Sequence, residues 1–227
     1  MLFRSSLLAL AVASLLSNGL SAQKELTNRD IWAGPAFSGE YVGGLASMND
    51  GQHYTVLEAD ALGQVISRYA YRSGNMVETL LRTSELVSGE GQAPLDIDGY
   101  SFSGDERKLM IESGTEGLYR YSYFAQHHIF DRATRKLQHL SDPDGSKQRL
   151  ATFSPDGSKA AFVRDNDLYI VDLATMQETR VTSDGEWNKV INGATDWVYE
   201  EEFALVQGYA WSPKGSKLLY LRTDESA

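Results

Sequence analysis

The chain has 227 residues, 42% hydrophobic and 23% charged, with 20 glycines and 5 prolines, an ordinary globular composition that excludes collagen-like, mucin-like and wholly disordered chains. It has no cysteine, which excludes a disulfide scaffold, a thiol nucleophile and Cys-ligated zinc or iron–sulfur sites. Its 31 acidic against 21 basic residues give a net charge of −10, a field that repels nucleic acid.

The first 22 residues read as a secretory signal peptide. Arg4 precedes an apolar run from Leu7 to Leu16, then come Ser17, Asn18 and Gly19, and small residues at Ser21 and Ala22. The apolar run is too brief to span a bilayer. Cleavage after Ala22 leaves Leu20 at the −3 position, where a small residue is preferred. No later apolar segment reaches about 18 residues, so residues 23–227 are expected to be exported, to a periplasmic or extracellular location.

From there the chain repeats itself. A tight turn recurs as Phe102-Ser-Gly-Asp-Glu-Arg-Lys108, Phe153-Ser-Pro-Asp-Gly-Ser-Lys159 and Trp211-Ser-Pro-Lys-Gly-Ser-Lys217, with a weaker copy at Met48-Asn-Asp-Gly-Gln52. Counted from Met48, Phe102, Phe153 and Trp211, the spacings are 54, 51 and 58 residues. Pro155 presets φ for a turn, and Gly157 accepts backbone angles that other residues resist. Strand-like runs follow the turns at Lys108–Glu112, Ala160–Arg164 and Leu218–Arg222. Next strands are predicted at His127–Asp131 and Asp167–Asp172, and fourth strands at Lys136–Leu140 and Glu178–Thr182. Short strands in units of 50–60 residues, with no long amphipathic helix, predict an all-β fold, a β-propeller of four-stranded blades. The length provides about three blades and the start of a fourth, which leaves an open strand edge. Either another chain closes the ring or the sequence is incomplete, and the latter is the expectation.

The densest chemical feature is Thr195-Asp-Trp-Val-Tyr-Glu-Glu-Glu-Phe203. One reading is a solvated charge run beside buried Trp197 and Tyr199. The other is a cation site, which requires the segment to leave the sheet as a short helix or turn. Adjacent strand residues face opposite ways, whereas helical neighbours lie about 100° apart.

Asp196-Trp-x-Tyr-Glu-Glu-Glu202 followed by Trp211-Ser-Pro213 resembles the dipeptidyl peptidase IV family of serine exopeptidases, relatives of prolyl oligopeptidase. Leu118-Tyr-Arg-Tyr-Ser-Tyr123, Asp30-Ile-Trp32 and Met48-Asn-Asp-Gly-Gln-His-Tyr54 support the likeness, which covers about residues 25–225. The resemblance implies that Glu201 and Glu202 bind the free N-terminal ammonium of a peptide and that Arg120 contacts a substrate carbonyl. It further implies release of N-terminal dipeptides with Pro or Ala second, an α/β-hydrolase domain C-terminal to the propeller, and a homodimeric full-length enzyme. No cofactor is implied.

The residues themselves hold no catalyst. A Ser–His–Asp triad on an α/β-hydrolase fold places its serine in Gly-x-Ser-x-Gly; Gly99-Tyr-Ser-Phe-Ser103 comes nearest and lacks the last glycine. His53, His127, His128 and His139 stand in no context that suggests a base, and adjacent His127 and His128 fit alternation across a strand. Nor do the histidines form a metal-ligand pattern with carboxylates. The expectation is therefore a propeller with part of a substrate clamp, inactive alone. The competing expectation is a non-catalytic TolB-type propeller that binds peptides or proteins. The repeated turns fit both, whereas Arg120 with Trp197–Glu202 fits only the first.

Overall fold

The computed structural model describes residues 25–34, 37, 44–87, 91 and 93–226; the expected signal peptide lies outside them. The opening segment carries one short helix, α1 (Asn28–Trp32), started by a reciprocal cap. The Thr27 hydroxyl accepts from the Asp30 amide at 3.2 Å, and the Asp30 carboxylate accepts from the Thr27 amide at 3.1 Å. A separate compact unit begins at Gly44.

That unit holds three four-stranded antiparallel sheets, each a meander in chain order. The first comprises β1 (Leu45–Ser47), β2 (His53–Asp60), β3 (Gly63–Ala70) and β4 (Met76–Arg82). The second comprises β5 (Gly99–Phe102), β6 (Lys108–Gly117), β7 (Tyr123–Asp131) and β8 (Lys136–His139). The third comprises β9 (Arg149–Phe153), β10 (Lys159–Arg164), β11 (Asp167–Asp172) and β12 (Gln177–Arg180). A fourth set follows: β13 (Val190–Asn192), β14 (Tyr209–Trp211), β15 (Leu218–Tyr220) and β16 (Arg222–Asp224), with β14 paired to β15 and β13 to β16. This is the expected propeller arc of three blades and part of a fourth. The run predicted over Leu218–Arg222 is two strands, broken at Leu221 where its carbonyl and amide turn to Gly193 and Gly208.

The repeated turns have one hydrogen-bonding plan. The Ser103, Ser154 and Ser212 amides donate to the carbonyls of Lys108, Lys159 and Lys217 at 2.8–3.0 Å, and each serine hydroxyl accepts the same lysine's amide. Gly157 and Gly215 both sit at φ 66°, where a side chain is strained. In the first copy Met48 makes the backbone bonds of the serine, to His53. Met48 therefore corresponds to Ser103 rather than to Phe102, one residue out of the register expected from sequence. The turns also touch in series: the Asn49 amide nitrogen Nδ2 donates to the Gly104 carbonyl at 2.8 Å, and Lys108 Nζ reaches the Gly157 carbonyl at 3.5 Å.

Strand alternation builds the core between blades. On β6, Leu109 and Ile111 point towards the first blade, onto Ile66, Leu81 and Phe130's cluster, while Met110 points to the third. On β10, Ala160 and Phe162 face the second blade, and Ala161 and Val163 face the fourth set with Ile191, Ala194 and Tyr209. One residue of slip would exchange the two faces, so this period of two fixes the register. Each fully buried aliphatic or aromatic side chain there contributes about 1.5–3 kcal/mol of transfer free energy.

Two histidines are absorbed into this core. His127 and His128 are both buried; the His128 ring lies tilted against His139 with centroids 4.6 Å apart, and His127 shares the Gln148 Oε1 through its amide and ring at 3.1 and 3.3 Å. Desolvation, helped by His139 and His127, lowers the His128 pKa from 6.5 to about 4. Below pH 6.5 the unfolded chain takes up a proton that the folded chain refuses until about pH 4. The stability associated with neutral His128 is thus complete above pH 6.5 and lost as pH falls through 4, a span of about 3 kcal/mol. Thermal unfolding followed between pH 7 and 4 should show a falling midpoint, with a shallower slope in His128→Leu; parallel slopes would contradict this origin.

Candidate functional site

The three residues singled out from sequence sit on two connections. Arg120 belongs to the loop between β6 and β7, which is closed on itself by the Leu118 amide donating to the Ser122 carbonyl at 2.9 Å. Glu201 and Glu202 belong to a helix, α2 (Trp197–Phe203), in the connection between β13 and β14. The segment thus leaves the sheet as a helix, the condition for its acids to act together.

The sequence dictates where α2 starts and stops. The Asp196 carboxylate accepts from the Tyr199 amide at 2.8 Å, which satisfies one of the unpaired donors at the helix start. Ala204 ends the helix in the left-handed region at φ 52°, its amide turned back to the Glu200 carbonyl at 3.0 Å. The neck below is narrow: the Thr195 amide donates to the Val206 carbonyl at 3.3 Å, and the Gly208 amide to the Gly193 carbonyl at 3.1 Å. A Cβ on Gly208 would lie 2.8 Å from the Ala194 carbonyl oxygen, so this neck closes only around glycine.

The three glutamates separate by helical phase. Glu200 is 1% exposed, and its Oε1 accepts the amides of Tyr121 at 2.7 Å and Ser122 at 2.8 Å. It ties α2 to the Arg120 loop across 79 residues of sequence. Glu201 turns partly outward, and its Oε2 lies 2.9 Å from a terminal guanidinium nitrogen of Arg120. Glu202 is exposed and has no ion pair among the described residues. The structure therefore brings Arg120 and Glu201 together and leaves Glu202 on the solvent side of the same short helix.

Glu200 was missed by the sequence reading, in which it was only the first letter of an acidic triplet. Nothing local distinguishes it, because its partners are two backbone amides of another blade. The alternative reading, a solvated charge run beside buried aromatics, is reversed: Trp197 and Tyr199 are about half exposed, at 53% and 49%, and the first glutamate is the buried residue. Tyr199 and Phe203, four residues apart and 49% and 69% exposed, share one face of the helix with ring centroids 5.6 Å apart.

Beneath the helix lies a polar junction of the third and fourth sheets. Asp165 and Asn166 both adopt positive φ (51° and 62°) in the two-residue turn from β10 to β11, the conformation that suits the twist of a tight hairpin. Asp167, 0% exposed, accepts from the Thr182 hydroxyl at 2.6 Å, the Gly185 amide at 3.0 Å and the Asn192 amide group at 3.3 Å, and it pairs with Arg180. Burial pushes its pKa upward, but Thr182, Arg180 and Gly185 outweigh that and hold it below 3.8. The junction carries β13, and so the neck of α2.

Residues 103–227 match the family model of the dipeptidyl peptidase IV N-terminal region. The chain belongs to this family. A crystal structure of dipeptidyl peptidase 4 from Porphyromonas gingivalis superposes with a TM-score of 0.77 at 36% identity, over 90% of this chain and 28% of that one. A probable dipeptidyl-aminopeptidase B of Penicillium rubens is 35% identical over 67% of this chain and 17% of its own length. A second, from Emericella nidulans, is 31% identical over 93% of this chain and 24% of its own. The chain thus spans less than a quarter of the curated relatives' length. Family membership, rather than the propeller fold, separates the peptidase reading from the binding-module reading.

Proposed function

We propose that this chain is the part of an exported dipeptidyl peptidase IV-type exopeptidase that grips the substrate's N-terminal ammonium, through Glu201 and Glu202 with Arg120 beside them. The observation that carries this is the Glu200 tie, which fixes the loop bearing Arg120 against the helix bearing the two acids. Arg120 neutralises one carboxylate, so the trio carries one net negative charge. A peptide α-amino group, with a pKa near 8, is largely protonated at neutral pH and would restore neutrality. Each well-placed charge-assisted hydrogen bond contributes roughly 1.5–3 kcal/mol.

Holding the amine fixes how far along the peptide the reacting bond lies, so the clamp acts as a ruler. The serine, histidine and acid that cut would come from an α/β-hydrolase domain of the same polypeptide, releasing dipeptides with Pro or Ala second. Glu201→Gln and Glu202→Gln are each expected to weaken binding of a free-amine dipeptide amide tenfold or more, since about 1.4 kcal/mol is a factor of ten. The N-acetylated dipeptide should bind no better than the variants do. Calorimetric titration checks this, and equal affinity for the free and acetylated peptides would overturn the clamp.

A further inference from the structure

Behind the clamp, a cavity of about 150 Å³ has Tyr119, Trp187 and Trp197 among its walls, Thr195 beside them, and Arg149 and Asn166 at its inner end. Arg149 is the only buried arginine among the described residues, at 4% exposure. The more exposed Arg68, Arg82, Arg135, Arg164, Arg180 and Arg222 all have carboxylates in ion-pairing distance. Arg149 has none within 4 Å among the described residues. Its one side-chain hydrogen bond goes to the neutral Asn166 Oδ1, at 3.0 Å, and the Phe124 ring lies 5.9 Å from the guanidinium carbon.

Removing a guanidinium from water without a counter-charge is costly. Burial lowers the Arg149 pKa, an effect opposed by the negative charge of Glu200. Glu200 is already committed through its Oε1 to the Tyr121 and Ser122 amides. Asn166 is oriented from both ends, since its Nδ2 donates to the Glu186 carbonyl at 3.2 Å; its oxygen therefore faces Arg149 and offers no negative charge. Glu225 also borders the cavity, but it is an exposed residue whose amide is held by the Lys189 carbonyl at 2.7 Å. This slot thus presents a buried guanidinium with no carboxylate at ion-pairing distance among the described residues, and half-exposed indole rings stand at its walls. At roughly 30 Å³ per liquid water, it has room for a few waters or one short carboxylate side chain.

The slot adjoins the clamp through both of its elements. Tyr119 precedes Arg120 on one loop, and Trp197 stands one helical turn before Glu201 on α2. We propose that this slot is a carboxylate subsite in which Arg149 receives the acidic side chain of a peptide's first residue, favouring Glu over neutral residues at that position. This rests on the clamp reading, but on different atoms: the clamp reads the amine, whereas the slot reads the side chain.

The test is calorimetric titration of the protein with Glu-Pro-amide, Gln-Pro-amide and the N-acetylated form of each, repeated with Arg149→Gln and Arg149→Lys. Wild-type protein should bind the Glu peptide at least tenfold more tightly than the Gln peptide. Arg149→Gln should abolish that preference, and Arg149→Lys, which keeps the charge, should retain part of it. Equal wild-type affinity for the Glu and Gln peptides overturns the subsite whether or not the variants fold, and leaves the clamp standing if acetylation still abolishes binding. A Glu preference that survives Arg149→Gln also overturns it, by assigning the effect to another cation. A preference for Glu that persists in the acetylated pair, and disappears in Arg149→Gln, supports the slot while overturning the clamp. No binding of any peptide overturns both.

Discussion

Glu200→Ala is expected to cost about 3 kcal/mol of stability and to abolish peptide binding, although Glu200 itself touches no solvent. The substitution strips the Tyr121 and Ser122 amides of their shared acceptor. The Ser122 site is buried, and an unsatisfied buried donor costs about 1–3 kcal/mol. The functional loss would follow from geometry: without the tie, the loop holding Arg120 is no longer fixed against α2, and the 2.9 Å contact to Glu201 loses its support. Hydrogen exchange separates this from general unfolding. The Tyr121 and Ser122 amides should exchange far faster in Glu200→Ala, while amides of the first blade stay protected. Glu200→Gln keeps an acceptor oxygen and should recover most of the protection. Unchanged exchange at both amides in Glu200→Ala would show that the tie does not hold the loop.

Asp167→Ala should cause the larger global loss, about 4 kcal/mol in chemical denaturation. Its carboxylate gathers Thr182, Gly185, Asn192 and Arg180 at the junction of the third blade and β13. Removing it strands several buried donors and unpairs a guanidinium. Arg180 is half exposed and can rehydrate, which keeps the estimate below that for a fully enclosed pair. Because the folded carboxyl titrates below 3.8, its contribution is complete above about pH 4 and lost in stronger acid. That window lies beneath the one assigned to His128, so acid titration of wild-type protein should show two successive losses. Asp167→Ala should remove the lower and His128→Leu should flatten the upper. A denaturation midpoint in Asp167→Ala equal to that of wild-type protein would contradict the role given to the junction.

Much of the fold was legible from local chemistry. The Ser-Pro-Asp-Gly turns mark strand boundaries because proline and glycine constrain or free the backbone where they stand, and the inner strands between them read as short continuous apolar runs because both faces of a blade are buried. The run at Asp167–Asp172 appears as a strand with the predicted bounds. Where the turn lost its aromatic and serine, at Met48, the sequence register was one residue out; only the hydrogen bond to His53 identifies the true equivalent. Glu201, Glu202 and Arg120 were picked out by motif, and the structure places Arg120 against Glu201.

The sequence by itself determined the blades, their turns and the acidic motif that set this segment apart, because each depends on residues close along the chain. Tertiary structure alone decided what each acid does. Glu200, Glu201 and Glu202 are chemically identical neighbours, and only the helical phase of α2 and the approach of a loop 79 residues away make one a tie, one an ion-pair partner and one a free acid. The same holds for Arg149: as a residue it is an ordinary strand arginine, and it gains significance only because packing removes water from its guanidinium and places no carboxylate within ion-pairing distance of it among the described residues. Burial and pairing are properties of three-dimensional neighbourhoods, and no local pattern encodes them.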